Sequence, residues 1–140
     1  MFTASQIVAH LVGDYLLQSD YMASEKTKRW VPAIIHGLVY TLPFIFLMNF
    51  GVFLNLVAFV LIAGTHAVID HYRLARYIGW VKNNFAPPFS NLPWEDCKDT
   101  GYPKSKPPWM AVWLLIITDN TLHLIINGFV LWSCSALAQG

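Results

Sequence analysis

Three pairs of histidine and aspartate, each spaced four residues apart, are the part of this sequence best suited to chemistry. They are His10 with Asp14, His66 with Asp70, and Asp119 with His123. Residues four apart stand one turn apart on the same face of a helix, so each pair presents both side chains in one direction. Imidazole and carboxylate groups bind zinc, manganese and iron. The spacing therefore predicts a metal centre built from helices.

A further histidine, His36, stands alone in an apolar stretch. We expect the ligands of one or two divalent ions, zinc before manganese or iron, to be His10, Asp14, His36, His66, Asp70, Asp119 and His123. Gln18 and Asn120 are predicted to orient these ligands by hydrogen bonds, without binding the metal themselves. His71 lies off the face that carries His66 and Asp70, so it is either a further partner of the centre or an interfacial residue.

A metal centre of this composition suits hydrolysis, because a bound divalent ion acidifies water towards neutral pH. Asp119 is the predicted catalytic residue, acting as general base. The expected substrate is a lipid-linked molecule or a phosphoester at the cytoplasmic face. Three other interpretations stay open: polar contacts that only hold helices together, a path for protons or metal ions, and ligation of haem by two histidines.

The segments that must position these residues are strongly apolar. Hydrophobic residues make up 56% of the 140 positions and charged residues only 12%, against about 25% charged in soluble proteins. A transmembrane helix needs about 20 apolar residues, a requirement that residues 30–49, 51–73 and 108–137 meet. Residues 2–19 are shorter and more polar, and form either a fourth span or a re-entrant helix. We expect a span.

The basic residues predict the orientation of these spans. All nine lie in two segments, residues 26–29 and 73–106. Since basic segments stay cytoplasmic, we expect a multi-pass protein of the bacterial inner membrane with four spans and both termini periplasmic. Residues 74–107 would then be a cytoplasmic loop, beginning with an interfacial helical stretch and continuing, from residue 85 on, as a folded loop without helix.

The predicted fold class is therefore all-α, a polytopic membrane helical bundle forming a single domain over residues 1–140. Its expected partners are the lipid bilayer and a lipid or lipid-linked substrate. With a net charge of only +1, we expect no nucleic-acid partner, and the oligomeric state stays open. Apart from Arg73, at the very end of the stretch 51–73, no Lys or Arg lies in a predicted span. We therefore expect the buried aspartates to be neutralised by a proton, a histidinium or a metal ion.

Several segments together resemble a known family. They are HLVGDYLLQSDYMASEK, the isolated His36, THAVIDH and ITDNTLH. This pattern is similar to that of a family of small membrane proteins of bacteria and their phages, described as a domain of unknown function. The His-x3-Asp pieces are also weakly similar to membrane-bound metal-dependent hydrolases. The resemblance implies a four-helix membrane protein with an intramembrane polar centre at His10, Asp14, Gln18, His36, His66, Asp70, Asp119 and His123.

Overall fold

The computed structural model describes residues 3–86 and 91–140 of the chain, and all regular elements in those ranges are helices. In chain order they are α1 (Ala4–Leu11), α2 (Asp20–Glu25), α3 (Trp30–Thr41), α4 (Val52–Tyr72), α5 (Leu74–Phe85), α6 (Trp94–Cys97) and α7 (Pro108–Gln139). A π-helix (Val12–Leu16) continues α1, and a 3-10 helix (Leu42–Leu47) continues α3. The predicted all-α class is confirmed.

Local sequence signals explain where several helices begin and end. The Thr3 hydroxyl accepts a hydrogen bond from the Gln6 backbone N–H at the start of α1, and Ser19 caps α2 in the same way, as hydroxyl side chains do at helix N-termini. Pro43 lies at the start of the 3-10 helix, where its missing N–H ends the α-helical pattern of α3. Gly51, with φ of 88°, supplies the turn before α4.

Three helical stretches are long and apolar enough to cross a membrane: Trp30–Leu47, Val52–Tyr72 and Pro108–Gln139. They correspond to three of the four predicted spans. The 8 residues of α1 and the 5 of the π-helix rise only about 20 Å at 1.5 Å per residue, against a hydrocarbon core of about 30 Å. The predicted fourth span is therefore not confirmed, and its first residue, Phe2, lies outside the described residues.

The described chain groups into two compact units, and the predicted single domain stays a prediction. The first unit takes its residues from Met1–Tyr72 and His123–Gly140. Its core includes Tyr40, Phe44, Ile62 and Val130, all buried. Helices α3 and α4 pack closely there, since a Cβ placed on Gly37 would lie 2.5 Å from the Ala63 carbonyl oxygen.

The second unit, Arg73–Leu122, contains α5, α6 and the first part of α7. The Tyr77 and Trp94 rings stack at 4.8 Å between centroids, and the Arg76 guanidinium lies over both. Helix α5 lies in the stretch predicted to be helical and interfacial. The stretch predicted to be free of helix contains the four-residue α6, a correction that follows from Pro93 starting a single turn. Its residues 87–90 lie outside the described part.

Candidate metal centre

Four buried side chains of the first unit converge on one point. They are Asp14 in the π-helix, His36 in α3, and His66 and Asp70 in α4. Each offers one ligand atom, and the four atoms lie within 4.8 Å of one another. None of these residues is more than 8% exposed. The donor set of two imidazoles and two carboxylates could hold a divalent metal ion.

The spacing of the donor atoms matches a coordination shell. The Nε2 atoms of His36 and His66 are 2.9 Å apart. Asp14 Oδ1 lies 3.1 and 3.4 Å from these two nitrogens, and Asp70 Oδ2 lies 3.3 and 3.1 Å from them. Four ligands at 2.0–2.1 Å from a tetrahedral ion stand about 3.3 Å apart. Adjacent octahedral ligands stand about 3.0 Å apart, so the spacing fits zinc, manganese and iron alike.

Hydrogen bonding alone accounts poorly for this arrangement. His36 Nε2 has four polar atoms within 3.3 Å, contributed by Asp14, His66, Asp70 and Lys26. A ring nitrogen carries either one hydrogen or one lone pair, so it can satisfy only one of these contacts well. A shared metal ion would satisfy all four donor atoms at once, because each would then bind the ion and not its neighbours.

The local backbone places Asp14 at the centre. Asp14 lies in the middle of the π-helix, where the N–H of Leu17 bonds to the carbonyl of Val12, five residues back. Such π-turns are frequent at functional sites. Neighbouring Gly13 allows the close approach, since a Cβ there would lie 2.6 Å from the Tyr40 carbonyl oxygen. The wide π-turn, together with the lack of a side chain at Gly13, brings the Asp14 carboxylate against α3 and α4.

The second carboxylate oxygen of each aspartate faces another histidine. His10 Nδ1 lies 3.7 Å from Asp14 Oδ2, and His123 Nε2 lies 3.5 Å from Asp70 Oδ1. Both histidines are buried. They lie beside the four-residue group, against the second oxygen of each carboxylate, and their predicted role as ligands stays a prediction.

Tyr40 links this outer layer to the centre. Its hydroxyl accepts a hydrogen bond from Asn127 and lies 2.8 Å from His10 Nδ1. Its ring stacks on His66 at 3.6 Å between centroids and 15° between planes. The Nδ1 atoms of His36 and His66 have no hydrogen-bond partner among the described residues. Ring packing against Tyr40 therefore helps to fix the orientation of the His66 imidazole.

Lys26 overturns the expectation that no basic residue partners the buried aspartates. Its ammonium Nζ lies 2.7 Å from Asp70 Oδ2 and 3.2 Å from His36 Nε2. Lys26 follows α2, outside every predicted span, but its four-carbon side chain is long enough to reach back to the centre. With neutral histidines, the two carboxylates and one ammonium leave one net negative charge, which a cation can neutralise.

The remaining predicted residues lie at different places. Gln18 Oε1 accepts from Lys26 Nζ at 2.7 Å, so Gln18 contacts the ammonium. His71 Nδ1 lies 3.0 Å from the Lys26 carbonyl oxygen, and its ring packs on Trp30. Asp119 and Asn120 belong to the second unit, and their predicted roles stay predictions.

Two important residues were missed at the sequence level. Tyr40 follows His36 by four residues, so helical spacing alone would place both on one face. No comparable signal marks Lys26, which is one of three basic residues in a stretch of four. The contact of Lys26 with Asp70 and His36 depends on where α2 places the start of its side chain.

The fold and the site together define a class: helical proteins with helices long enough to span a membrane and a buried His/Asp group that could hold a metal ion. The chain belongs to the family described as "Protein of unknown function (DUF3307)", whose family model matches residues 2–136. The predicted membership of a domain family of unknown function is thus confirmed. No curated protein and no solved structure matches the chain. The similarity to membrane-bound metal-dependent hydrolases stays a prediction.

Proposed function

We propose that this protein is a membrane-embedded, metal-dependent hydrolase of the bacterial inner membrane, acting on a lipid-linked or phosphoester substrate at the cytoplasmic face. The observation that carries the proposal is the convergence of Asp14, His36, His66 and Asp70. Two neutral imidazoles and two carboxylates form a ligand set suited to zinc, with manganese and iron as alternatives. One ion fits this group of four.

The surface of the helices supports a place in the bilayer. Large apolar side chains are exposed along the candidate spans, with Phe46 92% and Val52 89% exposed. A soluble protein rarely leaves such side chains uncovered over a large area, whereas lipid covers them. Since the basic residues lie in residues 26–29 and 73–106, the orientation with these segments in the cytoplasm follows the distribution of charge.

A groove in the first unit supports a substrate with a hydrocarbon chain. It has a volume of about 640 Å³ and is lined mainly by apolar side chains of α1, the π-helix and the 3-10 helix, including Val8, Val12, Leu42 and Phe46. Helix α1 and the π-helix also carry His10 and Asp14. The segment that lines the groove therefore also contributes to the centre.

In the proposed reaction, a bound divalent ion would supply an acidified water molecule and polarise the ester. Asp14, His36, His66 and Asp70 would hold the ion. His10 and His123 would fix the orientation of the carboxylates through their outer oxygens. Asp119 is proposed as the general base that accepts the proton of the attacking water.

Elemental analysis of the purified protein, combined with a turnover assay, tests this proposal. We expect one equivalent of metal per chain and metal-dependent release of phosphate from phosphoester lipids in mixed micelles, abolished by a chelator. Asp119→Asn should abolish turnover and keep both metal and fold. Absence of stoichiometric metal, together with unchanged stability of His36→Ala and Asp70→Ala, would contradict the metal centre.

The ion pair between Lys26 and Asp70 favours a second candidate function. Because Lys26 gives the buried carboxylate a counter-ion within the chain, the same centre could serve a non-enzymatic membrane module, either as a structural core or as a binding or transfer site for metal ions or protons. In that case the protein would show no turnover. Asp119→Asn should then lower the stability of the fold if the centre is structural, or change ion flux into liposomes if the centre conducts ions.

A further inference from the structure

The Lys26 ammonium is held from three sides at the edge of the metal centre. Its Nζ lies 2.7 Å from Gln18 Oε1, 2.7 Å from Asp70 Oδ2 and 3.2 Å from His36 Nε2. The contacts with Gln18 and His36 are hydrogen bonds, and the contact with Asp70 is an ion pair. The Lys26 carbonyl oxygen lies 3.0 Å from His71 Nδ1, which fixes the backbone at the same point.

Two of these three acceptors are atoms that would bind the metal ion. Asp70 Oδ2 has more than one lone pair and can serve both cations, but a neutral His36 Nε2 has a single lone pair. If Nε2 accepts a hydrogen from Lys26, it cannot also coordinate a metal ion. A divalent ion between the four donors would in addition repel an ammonium that contacts two of them.

We infer that Lys26 and the metal ion occupy the centre alternately, with Lys26 as its resident cation when no metal is bound. This inference rests on the metal centre proposed above and adds a built-in competitor to it. Binding of a divalent ion expels the ammonium from Asp70 and His36. The Lys26 side chain is 16% exposed, so the ammonium already lies near an exit. The competition makes the metal affinity weaker than the four ligands alone would provide.

Zinc affinities of full-length variants in detergent micelles test the competition, measured against a chromophoric chelator. Lys26→Met removes the competing charge and keeps a long apolar side chain, so we expect zinc affinity to rise at least tenfold. Lys26→Arg keeps the charge and should not tighten binding. Lys28→Met is the matched control, because Lys28 is 63% exposed and pairs with Glu25; its affinity should stay within twofold of the wild type.

Amine acetylation of the wild-type protein gives a second readout that needs no variant. We expect zinc to increase the acetylation of Lys26 several-fold, measured by mass spectrometry, and to leave that of Lys28 unchanged. Equal or weaker zinc binding by Lys26→Met, or acetylation of Lys26 that zinc does not increase, overturns the inference. If the wild type and every variant bind zinc equally, only the role of Lys26 fails. If none binds zinc, the metal centre fails as well.

Discussion

At the scale of single residues, the two buried aspartates each use both carboxylate oxygens. Asp14 directs Oδ1 towards His36 and His66, and Oδ2 towards His10. Asp70 directs Oδ2 towards the same two rings and Oδ1 towards His123. One oxygen of each carboxylate thus belongs to the candidate ligand shell, and the other faces a further buried histidine. An amide in either place would keep the shape and lose the charge.

Asp14→Asn should therefore weaken zinc binding by more than the roughly 10–100-fold that loss of an orienting partner costs. The reason is that an amide oxygen carries no charge and is a poor ligand for zinc. Titration of the purified variant with zinc measures the change. The matched control is Asp20→Asn, since Asp20 is exposed at the start of α2, and its zinc affinity should not change. Equal affinities in the two variants would contradict ligation by Asp14.

The candidate ligands were predictable from sequence because helical spacing is local. His66 and Asp70 share one face of α4, with Nε2 and Oδ2 3.1 Å apart, as their spacing predicts. The division between the four converging residues and the two histidines beside them, His10 and His123, was not predictable. It depends on which oxygen of each carboxylate faces inward. The contact of the Lys26 ammonium with Asp70 and His36 was also not predictable. Lys26 lies outside the apolar segments in the sequence, and its position there does not indicate where its long side chain ends.

At the scale of helices, the close contact of α3 and α4 determines whether their ligands meet. Gly37 lies one residue after His36, and a Cβ there would come within 2.5 Å of the Ala63 carbonyl oxygen. Only a residue without a side chain permits this approach of the two backbones. Three of the four candidate ligands lie on this helix pair. The separation of the helices therefore sets the size of the centre.

Gly37→Ala should force the two helices apart and destabilise the protein by about 1–3 kcal/mol, the usual cost of overpacking. Gly64→Ala is the matched control within α4, because a Cβ there would meet no atom within 4 Å. It should be neutral or slightly stabilising, since alanine favours helix over glycine. Unfolding in detergent, followed by circular dichroism, measures both variants. A Gly37→Ala variant as stable as Gly64→Ala would show that the close contact is not required.

Helix positions were predicted better than helix ends. The predicted stretches 51–73 and 108–137 correspond closely to α4 and α7, because long apolar runs identify helices reliably. Within the stretch 30–49 the α-helix gives way to a 3-10 helix near Pro43. A proline indicates that the α-helix is disturbed there, but not which conformation follows. The π-helix around Asp14 has no sequence signature. Its geometry depends on packing against Tyr40 across Gly13.

At the scale of the whole molecule, the membrane topology depends on the first helical segment. Three candidate spans are long enough by themselves, while α1 and the π-helix are short. Four spans place both termini in the periplasm, if the basic segments are cytoplasmic. With a re-entrant first helix, the N-terminus would be cytoplasmic and the C-terminus periplasmic. The two topologies differ only at the N-terminus.

Reporter fusions at each end separate these topologies. We expect a phosphatase that is active only in the periplasm to be active at both termini, and a fluorescent protein that matures only in the cytoplasm to stay dark at both. If the phosphatase is inactive at the N-terminus but active at the C-terminus, the three-span arrangement holds. A cytoplasmic C-terminus would contradict both arrangements, because it would place the basic segment between α4 and α7 on the wrong side.

Crystals grown with one equivalent of zinc, measured on both sides of the zinc absorption edge, test the metal centre most directly. The structure predicts a single anomalous peak about 2 Å from four atoms. These are Asp14 Oδ1, His36 Nε2, His66 Nε2 and Asp70 Oδ2. In the same map, Lys26 Nζ should have left its positions against Asp70 and His36. No peak at this point, or a peak held only by other residues, would contradict the proposed centre.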